Sequence, residues 1–392
     1  MPALTSIEVP ETVLAIVRRL EDAGHEAWCV GGALRDAVLR LPHADFDVAT
    51  AATPDVVRRL FRRTVAVGER HGTIGVLDEA GALHEVTTFR RDVQTDGRHA
   101  VVEYGASLEE DLARRDFTIN ALAYHPLRRE WRDPYGGAAD LDARLIRAVG
   151  DPAARFREDH LRILRALRFS ARFGFAIDAG TWTAAVANAP ALARLSAERI
   201  RDEWFKSLRT AGSVSQVVDL WHRSGAAAVV LPGLTRTPPA EPGLSAPPRD
   251  PVLLTAALVA SPADVLSGLR CSNVEIARGA AIAAGPRQPA GLEDVAVRRW
   301  LSTVGDAADD LTRIEEWRSG TRAAWRDAMT RIRERGDPLQ RDDLAIRGGD
   351  LLALGFAGPA VGATLSRLLD RVLEEPARNT RETLLALARG GA

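Results

Sequence analysis

Ala27-Trp28-Cys29-Val30-Gly31-Gly32-Ala33-Leu34-Arg35-Asp36, followed by Asp45-Phe46-Asp47-Val48-Ala49-Thr50, decides how this chain is read. Ala27 to Val30 is an apolar run of strand length, and a helix is predicted after the glycine pair. Asp45 to Thr50 reads as a second strand. A glycine pair that ends a strand and opens a helix lets backbone amides approach a phosphate at the positive end of that helix, or makes a plain tight turn. Arg35, one turn in, adds a forked donor for the same anion or pairs with Asp36. Asp45 and Asp47 are two apart, so on a strand both point to one face. Carboxylates that close repel unless one is protonated or a cation lies between them, and hard oxygen ligands suit Mg²⁺. Anion cradle and paired carboxylates together suggest nucleotidyl transfer with two metal ions, one activating a hydroxyl and one holding a triphosphate.

Outward from this stretch the first 150 residues mix periods. Val13, Leu14, Val17 and Leu20 recur at helical spacing before Gly24. Thr53 before Pro54 and Asp55 starts another helix. Thr73 to Leu77 and Leu83 to Phe89 flank a turn segment and predict a hairpin. Glu85 alternates with apolar neighbours there and is the candidate third carboxylate. From about Asp151 strand signals fade and the chain reads as helical to its end, so the fold class is α+β. Six prolines between Leu234 and Pro251 read as a linker.

A length of 392 residues with 46% hydrophobic and 5% aromatic residues implies two or more domains. With 52 basic against 53 acidic residues the formal charge is −1, which argues against a general nucleic-acid coating protein or a polybasic membrane binder. Lys206 is the only lysine, so nearly every cation is a planar, forked arginine. Cys29 and Cys271 alone make no disulfide framework or cysteine zinc site, which fits a reducing cytoplasm. No leader opens the chain and no apolar run of ~18 residues occurs, so neither secretion nor membrane spanning is expected.

Cations concentrate in Arg155 to Arg172 (RFREDHLRILRALRFSAR), which carries six arginines and two acids. Asp159 and Arg162 are three apart and so share a helix face, with Arg165 and Arg168 continuing the row beside Leu161, Leu164 and Leu167. The row is either a solvated face or a reader of bases. Cytosine and adenine present an amino donor beside a ring-nitrogen acceptor, which an aspartate acceptor and an arginine donor complement; uracil and guanine mismatch them. Arg115 and Asp116, before Phe117-Thr118-Ile119-Asn120, offer a phosphate donor and a ribose acceptor, or a helix-surface ion pair.

These segments resemble the class II tRNA nucleotidyltransferases, the CCA-adding enzymes related to bacterial poly(A) polymerases. GGALRD through DFDVAT resembles the catalytic motif, which implies metal positions at Asp45 and Asp47 and nucleotide contacts at Gly32 and Arg35. RRDFTINALAY resembles the ribose-recognition motif and implies Arg115 and Asp116. GDPAARFREDHLRILRALRFSARFGF resembles the neck signature and implies base reading by Asp159 and Arg162, with Arg165 and Arg168 also at the nucleotide. Gly68 to Thr73, the flexible segment Thr87 to Tyr104, and Leu195 to Ile200 resemble further family segments, as do Ile346 to Leu351 and Gly358, Pro359 and Gly362 of the tail. No His-Asp dyad supports a phosphohydrolase domain. The resemblance implies a mixed-sheet head (1–150), helical neck (151–234), Pro-rich linker (235–250), helical body (251–330) and helical tail (331–392). It implies Mg²⁺ as cofactor, tRNA with CTP and ATP as partners, and no DNA or membrane partner. The implied reaction adds CMP, CMP and AMP to a tRNA 3′ end and releases diphosphate; alternatives are a single-specificity relative or a non-catalytic RNA-binding protein on the same fold.

Overall fold

Helix α1 (Glu11–Asp22) buries Val13, Ile16, Val17 and Leu20, the spacing read from the sequence, and leads into β1 (Ala27–Val30). Along β1, Ala27 and Cys29 enter one hydrophobic core while Trp28 and Val30 enter another. A strand covered on both faces needs apolar residues at every position, which is why this one reads as an unbroken run. The computed structural model describes residues 5–42, 46–68, 72–95, 100–235 and 248–390. Asp45, parts of the Gly68 to Thr73 and Thr87 to Tyr104 segments, and most of the Pro-rich linker lie outside the described residues.

Next come α2 (Gly32–Val38), β2 (Asp47–Thr50), α3 (Pro54–Leu60), β3 (Thr64–Gly68), β4 (Thr73–Leu77) and β5 (Leu83–Thr88). A ribbon of β6 (Arg90–Thr95) and β7 (Ala100–Tyr104) precedes α4 (Leu108–Ala113), β8 (Ala123–His125) and β9 (Glu130–Arg132). The main sheet is mixed, with strand order β3-β4-β5-β2-β1-β8-β9. Only the β2–β5 contact is parallel; the hairpin of β4 and β5 is antiparallel as the turn segment predicts. Both folds of the sequence reading, sheet first and helices after, are present, so the α+β class holds.

After α5 (Gly137–Asp142) and β10 (Leu145–Ile146), Asp151 caps α6 (Pro152–Glu158) by accepting from the amides of Ala153 and Ala154, each at 3.1 Å. Helix α7 (Leu161–Phe173) follows. The stretch from Arg155 to Arg172 is therefore two helices, not one. Asp159 sits in the break with φ −149° and ψ 105°, and its carboxylate accepts from the Leu161 amide at 3.0 Å. A side chain that satisfies a helix N-terminus stabilises a start at that point and competes with helical continuation. Strand β11 (Ala176–Ile177) pairs in parallel with β10 and is, among the described residues, the one strand in the part read as wholly helical. The remaining helices here are α8 (Ala179–Asn188), α9 (Ala197–Thr210), α10 (Val214–Arg223) and α11 (Ala226–Val230).

Contacts divide the chain into Met1–Pro232 and Gly233–Ala392. The second unit is helical: α12 (Pro251–Leu258), α13 (Pro262–Gly268), α14 (Asn273–Ala284), α15 (Asp294–Val304), α16 (Ala308–Ser319), α17 (Arg326–Glu334), α18 (Gly348–Ala353), α19 (Pro359–Glu374) and α20 (Arg381–Arg389). Pro251, the last of the clustered prolines and the first residue of the expected helical body (251–330), is the first residue of α12, where its missing N–H costs nothing; Asp250 caps that helix. Two apolar clusters fill the unit, one around Trp300 and Trp325 and one around Leu351, Leu368 and Val372. Among the described residues no helix is long and apolar enough to cross a membrane.

Candidate active site

A cleft of about 1060 Å³ in Met1–Pro232 gathers nearly all the described residues singled out above: Gly32, Arg35, Asp47, Glu85, Arg115, Asp116, Asp159, Arg162, Arg165 and Arg168 all line it. Its described wall includes nine arginines and five carboxylates. In a chain of net charge −1 this is a local excess of positive charge, which favours a polyanion.

The floor is set by sheet register. Val30 pairs with Asp47, and the parallel pairing of Val48 with Val86 puts Asp47 beside Glu85 on the neighbouring strand. Val48 and Val86 are buried on the opposite face, so both carboxylates face the cleft. Gly31 turns the chain out of β1 with φ +84°, and a Cβ there would lie 3.2 Å from Asp47 Oδ2 and 3.3 Å from Arg115 Nη1. Gly31, more than Gly32, is therefore the glycine that the geometry demands. Two carboxylates side by side on a rigid sheet are the oxygen donor set that a hard divalent cation takes. Burial first, and the charge of Asp47 second, push the Cys29 thiol up to about 12, so it stays protonated and offers no nucleophile.

Arg35 is buried, donating from Nε to Asp36 Oδ1 at 2.8 Å and from Nη1 to Asn120 Oδ1 at 2.6 Å, with its guanidinium over the rings of Phe169 and Phe173. It joins the start of α2 to the α7 side of the cleft. Arg115 donates to Asp111 Oδ2 at 3.1 Å and to the Asn120 carbonyl at 3.3 Å, while its Nε is buried without a partner. Burial raises the Asp111 carboxyl, but Arg114 and Arg115 outweigh it and hold it below the usual range. Asp116 accepts from the Phe117 amide at 2.8 Å and Asn120 Nδ2 at 3.0 Å on Oδ1, and from Arg165 Nε and Nη2, each at 2.7 Å, on Oδ2. Burial alone would raise its pKa; the charge of Arg165 and these donors bring it down to about 2, so it is an anion throughout the neutral range.

The proposed base readers meet only through the backbone, the Arg162 amide donating to the Asp159 carbonyl at 3.1 Å; their side chains bond elsewhere. Asp159 takes Arg199 Nη2 at 2.9 and 3.0 Å, from α9. Arg162 donates to Glu158 Oε2 at 2.8 Å, to the Arg155 carbonyl at 3.2 Å and to the Arg114 carbonyl at 2.8 Å. An acceptor and a donor thus lie on one wall, each steadied from behind. Arg168 is buried, bonded to Glu203 Oε2 at 2.6 Å and seated over the Phe169 ring. Sequence reasoning gave no role to Glu158, Asn120, Arg199 or Glu203. Asn120 and Glu158 lie inside motifs that were recognised, and Arg199 lies in the recognised Leu195 to Ile200 segment; only Glu203, one helical turn further on, had no motif to mark it.

Residues 27–147 match a family described as "Poly A polymerase head domain", and residues 174–237 match one described as "Probable RNA and SrmB- binding site of polymerase A". A CCA-adding enzyme of Limosilactobacillus fermentum is 36% identical over 410 aligned residues, spanning 96% of each chain. One from Geobacillus thermodenitrificans is 47% identical over 200 residues, which span 50% of this chain and 49% of that one. The crystal structure of the Bacillus stearothermophilus CCA-adding enzyme in complex with CTP superposes with a TM-score of 0.81 at 33% identity, covering 97% of this chain and 96% of that one.

Proposed function

With one relative 36% identical over 96% of each chain, this chain belongs to the CCA-adding enzymes, and from that premise we propose that its cleft adds CMP, CMP and AMP to a tRNA 3′ end from CTP and ATP. The observation that carries this reading is that the carboxylates Asp47 and Glu85 and the reader pair Asp159 and Arg162 open onto one arginine-walled cleft. In the reaction the terminal 3′ hydroxyl of the RNA gives up its proton to solvent, its oxygen forms a bond to the α-phosphorus, and the bond from the α-phosphorus to the α–β bridging oxygen breaks, its electron pair leaving with diphosphate.

Asp47 and Glu85, with Asp45, are the residues we assign to Mg²⁺. When bound, such an ion supplies Lewis acidity that acidifies the terminal hydroxyl and offsets charge on the triphosphate. Arg115, at the Gly31 turn, faces the phosphates, and Gly32 allows close approach of the chain. Asp116 fixes Arg165 through its two short bonds, and a ribose hydroxyl reaches its carboxylate by displacing one of those donors. Arg35 braces α2 against α7, and Arg168, held by Glu203, does the same between α7 and α9. We retain the division into head, neck, linker, body and tail as the working map, and assign the chain to the cytoplasm, where its two buried free cysteines stay reduced.

Asp159 offers an acceptor and Arg162 a donor to the pairing edge of cytosine or adenine, and a mismatched base leaves one of them desolvated and unpaired, at a cost of about 1–3 kcal/mol. Arg162→Ala is expected to cut the preference for CTP over UTP by about tenfold or more in single-turnover assays with tRNA. A variant with unchanged nucleotide preference would return Arg162 to a purely structural role in tying Glu158 to the Arg114 carbonyl.

A further inference from the structure

We propose that the apolar part of the catalytic sheet face, formed by Val65, Val67 and Leu83 around Gly75, seats the terminal nucleobases of the acceptor RNA. The inference rests on the reading of the cleft as a site of nucleotidyl transfer. Register places the patch: Val65 pairs with Gly75, Gly75 pairs with Glu85, and Asp47 lies beside Glu85 on the next strand. A Cβ on Gly75 would lie 2.5 Å from Leu83 Cδ1, 2.7 Å from Val67 Cγ2 and 2.8 Å from Val65 Cγ2, so the three side chains converge over it on one face. That face is the one carrying Glu85, because Ile74, Val76 and Val86 are buried on the other. Val65, Val67 and Leu83 nevertheless remain 41%, 45% and 43% exposed, three large apolar groups clustered where the same sheet carries its carboxylates. With strands about 4.8 Å apart, Val65 is about 10 Å from the Glu85 strand.

What covers the patch follows from the order of groups across the sheet. Arg115 meets the sheet at Gly31, after β1; Asp47 and Glu85 come next; the apolar patch lies beyond them on β3 to β5. In-line displacement needs the attacking and leaving oxygens on opposite sides of the α-phosphorus. The triphosphate takes the arginine side, so the attacking strand arrives from the side of the patch. Its last bases, stacked about 3.4 Å apart, then lie within the reach of Val65, Val67 and Leu83. Uncharged aliphatic side chains cover the flat apolar faces of bases without a hydrogen bond that would prefer one base, as a surface must that receives a growing end whose last residue changes with each addition.

The test is the full chain carrying Val65→Ser, Val67→Ser and Leu83→Ser together, changes at exposed positions that leave the buried face of the sheet untouched. The KM for a tRNA acceptor is expected to rise about tenfold while the KM for CTP stays within twofold. An acceptor KM within twofold of the unsubstituted protein's overturns the assignment. In a parallel experiment, tRNA carrying 4-thiouridine as its terminal residue is expected to crosslink to the β3–β5 segment on irradiation; crosslinks confined to other segments overturn it as well. If the unsubstituted protein incorporates no CMP into tRNA, the reading of the cleft fails; incorporation with an unmoved acceptor KM fails this inference alone. A second copy of the chain on the patch would show as a dimer by sedimentation that the triple substitution dissociates, and that result too would overturn the RNA assignment.

Discussion

Asp47→Ala is expected to lower CMP incorporation into tRNA by at least about a thousandfold, roughly 4 kcal/mol of transition-state stabilisation. The size follows from what the carboxylate does in the proposal: it is one of the oxygen ligands beside Glu85, and no other described side chain occupies its register position on β2. The protein itself should tolerate the change. Asp47 is only half-buried, at the edge of a cleft, so the melting temperature is expected to move by no more than a few degrees. Binding of tRNA, measured separately, should persist. A variant that keeps more than a tenth of the rate at saturating CTP and Mg²⁺ would remove Asp47 from the chemistry.

The largest stability effect is expected at Glu203. Its carboxylate is 2% exposed and holds Arg168, itself 7% exposed, at 2.6 Å between α9 and α7. Burial lowers the pKa of Arg168 and Glu203 opposes that shift, so removing Glu203 strands a cation that water cannot reach. Breaking a buried pair from one side costs about 3–5 kcal/mol. Glu203→Ala should therefore shift the urea midpoint of the unit Met1–Pro232 sharply downward, and Glu203→Gln, which keeps an acceptor for Arg168, should shift it less. Equal midpoints for Glu203→Ala and the unsubstituted protein would mean that the pair is not the brace described here.

What the sequence made legible is what short-range pattern controls. The apolar run of β1, the helical spacing of α1, the Thr53-Pro54 start and the hairpin of β4 and β5 all appear where residue order predicts them, because each is fixed by neighbours within a few positions. The Asp159 break was not legible. It depends on Arg199, 40 residues away, and on a carboxylate that caps a helix start inside a periodic arginine row. Pro251 shows the opposite case: the proline cluster ends in a linker boundary at 250, and Asp250 before Pro251 marks the start of α12 at that same place, a signal set by two adjacent residues. The members of the site were recognised from motifs, but not their wiring. Arg162 bonds the Arg114 carbonyl and Arg165 bonds Asp116, across 48 and 49 residues, and no local pattern encodes a partner at that range.

The charge balance of −1 excluded a coating protein and nothing more, since the cleft assembles its positive wall from arginines scattered between Arg35 and Arg199. Nor is arginine here a substitute for lysine. Arg35 spreads three donors over Asp36 and Asn120 and stacks on two phenylalanine rings, and Arg162 reaches a carboxylate and two carbonyls with one planar group. A lysine ammonium has neither the fork nor the flat face for those tasks.

In the proposed function, one arginine-walled site chooses cytosine twice and adenine once without a nucleic-acid template. The measurement that meets it most directly is the sequence of the product made by the purified chain on a tRNA ending at the discriminator base, supplied with all four nucleoside triphosphates and Mg²⁺. Addition of C, C and A, followed by a stop, is expected. Runs of A without use of CTP, or a product that stops at CC in the presence of ATP, would contradict it.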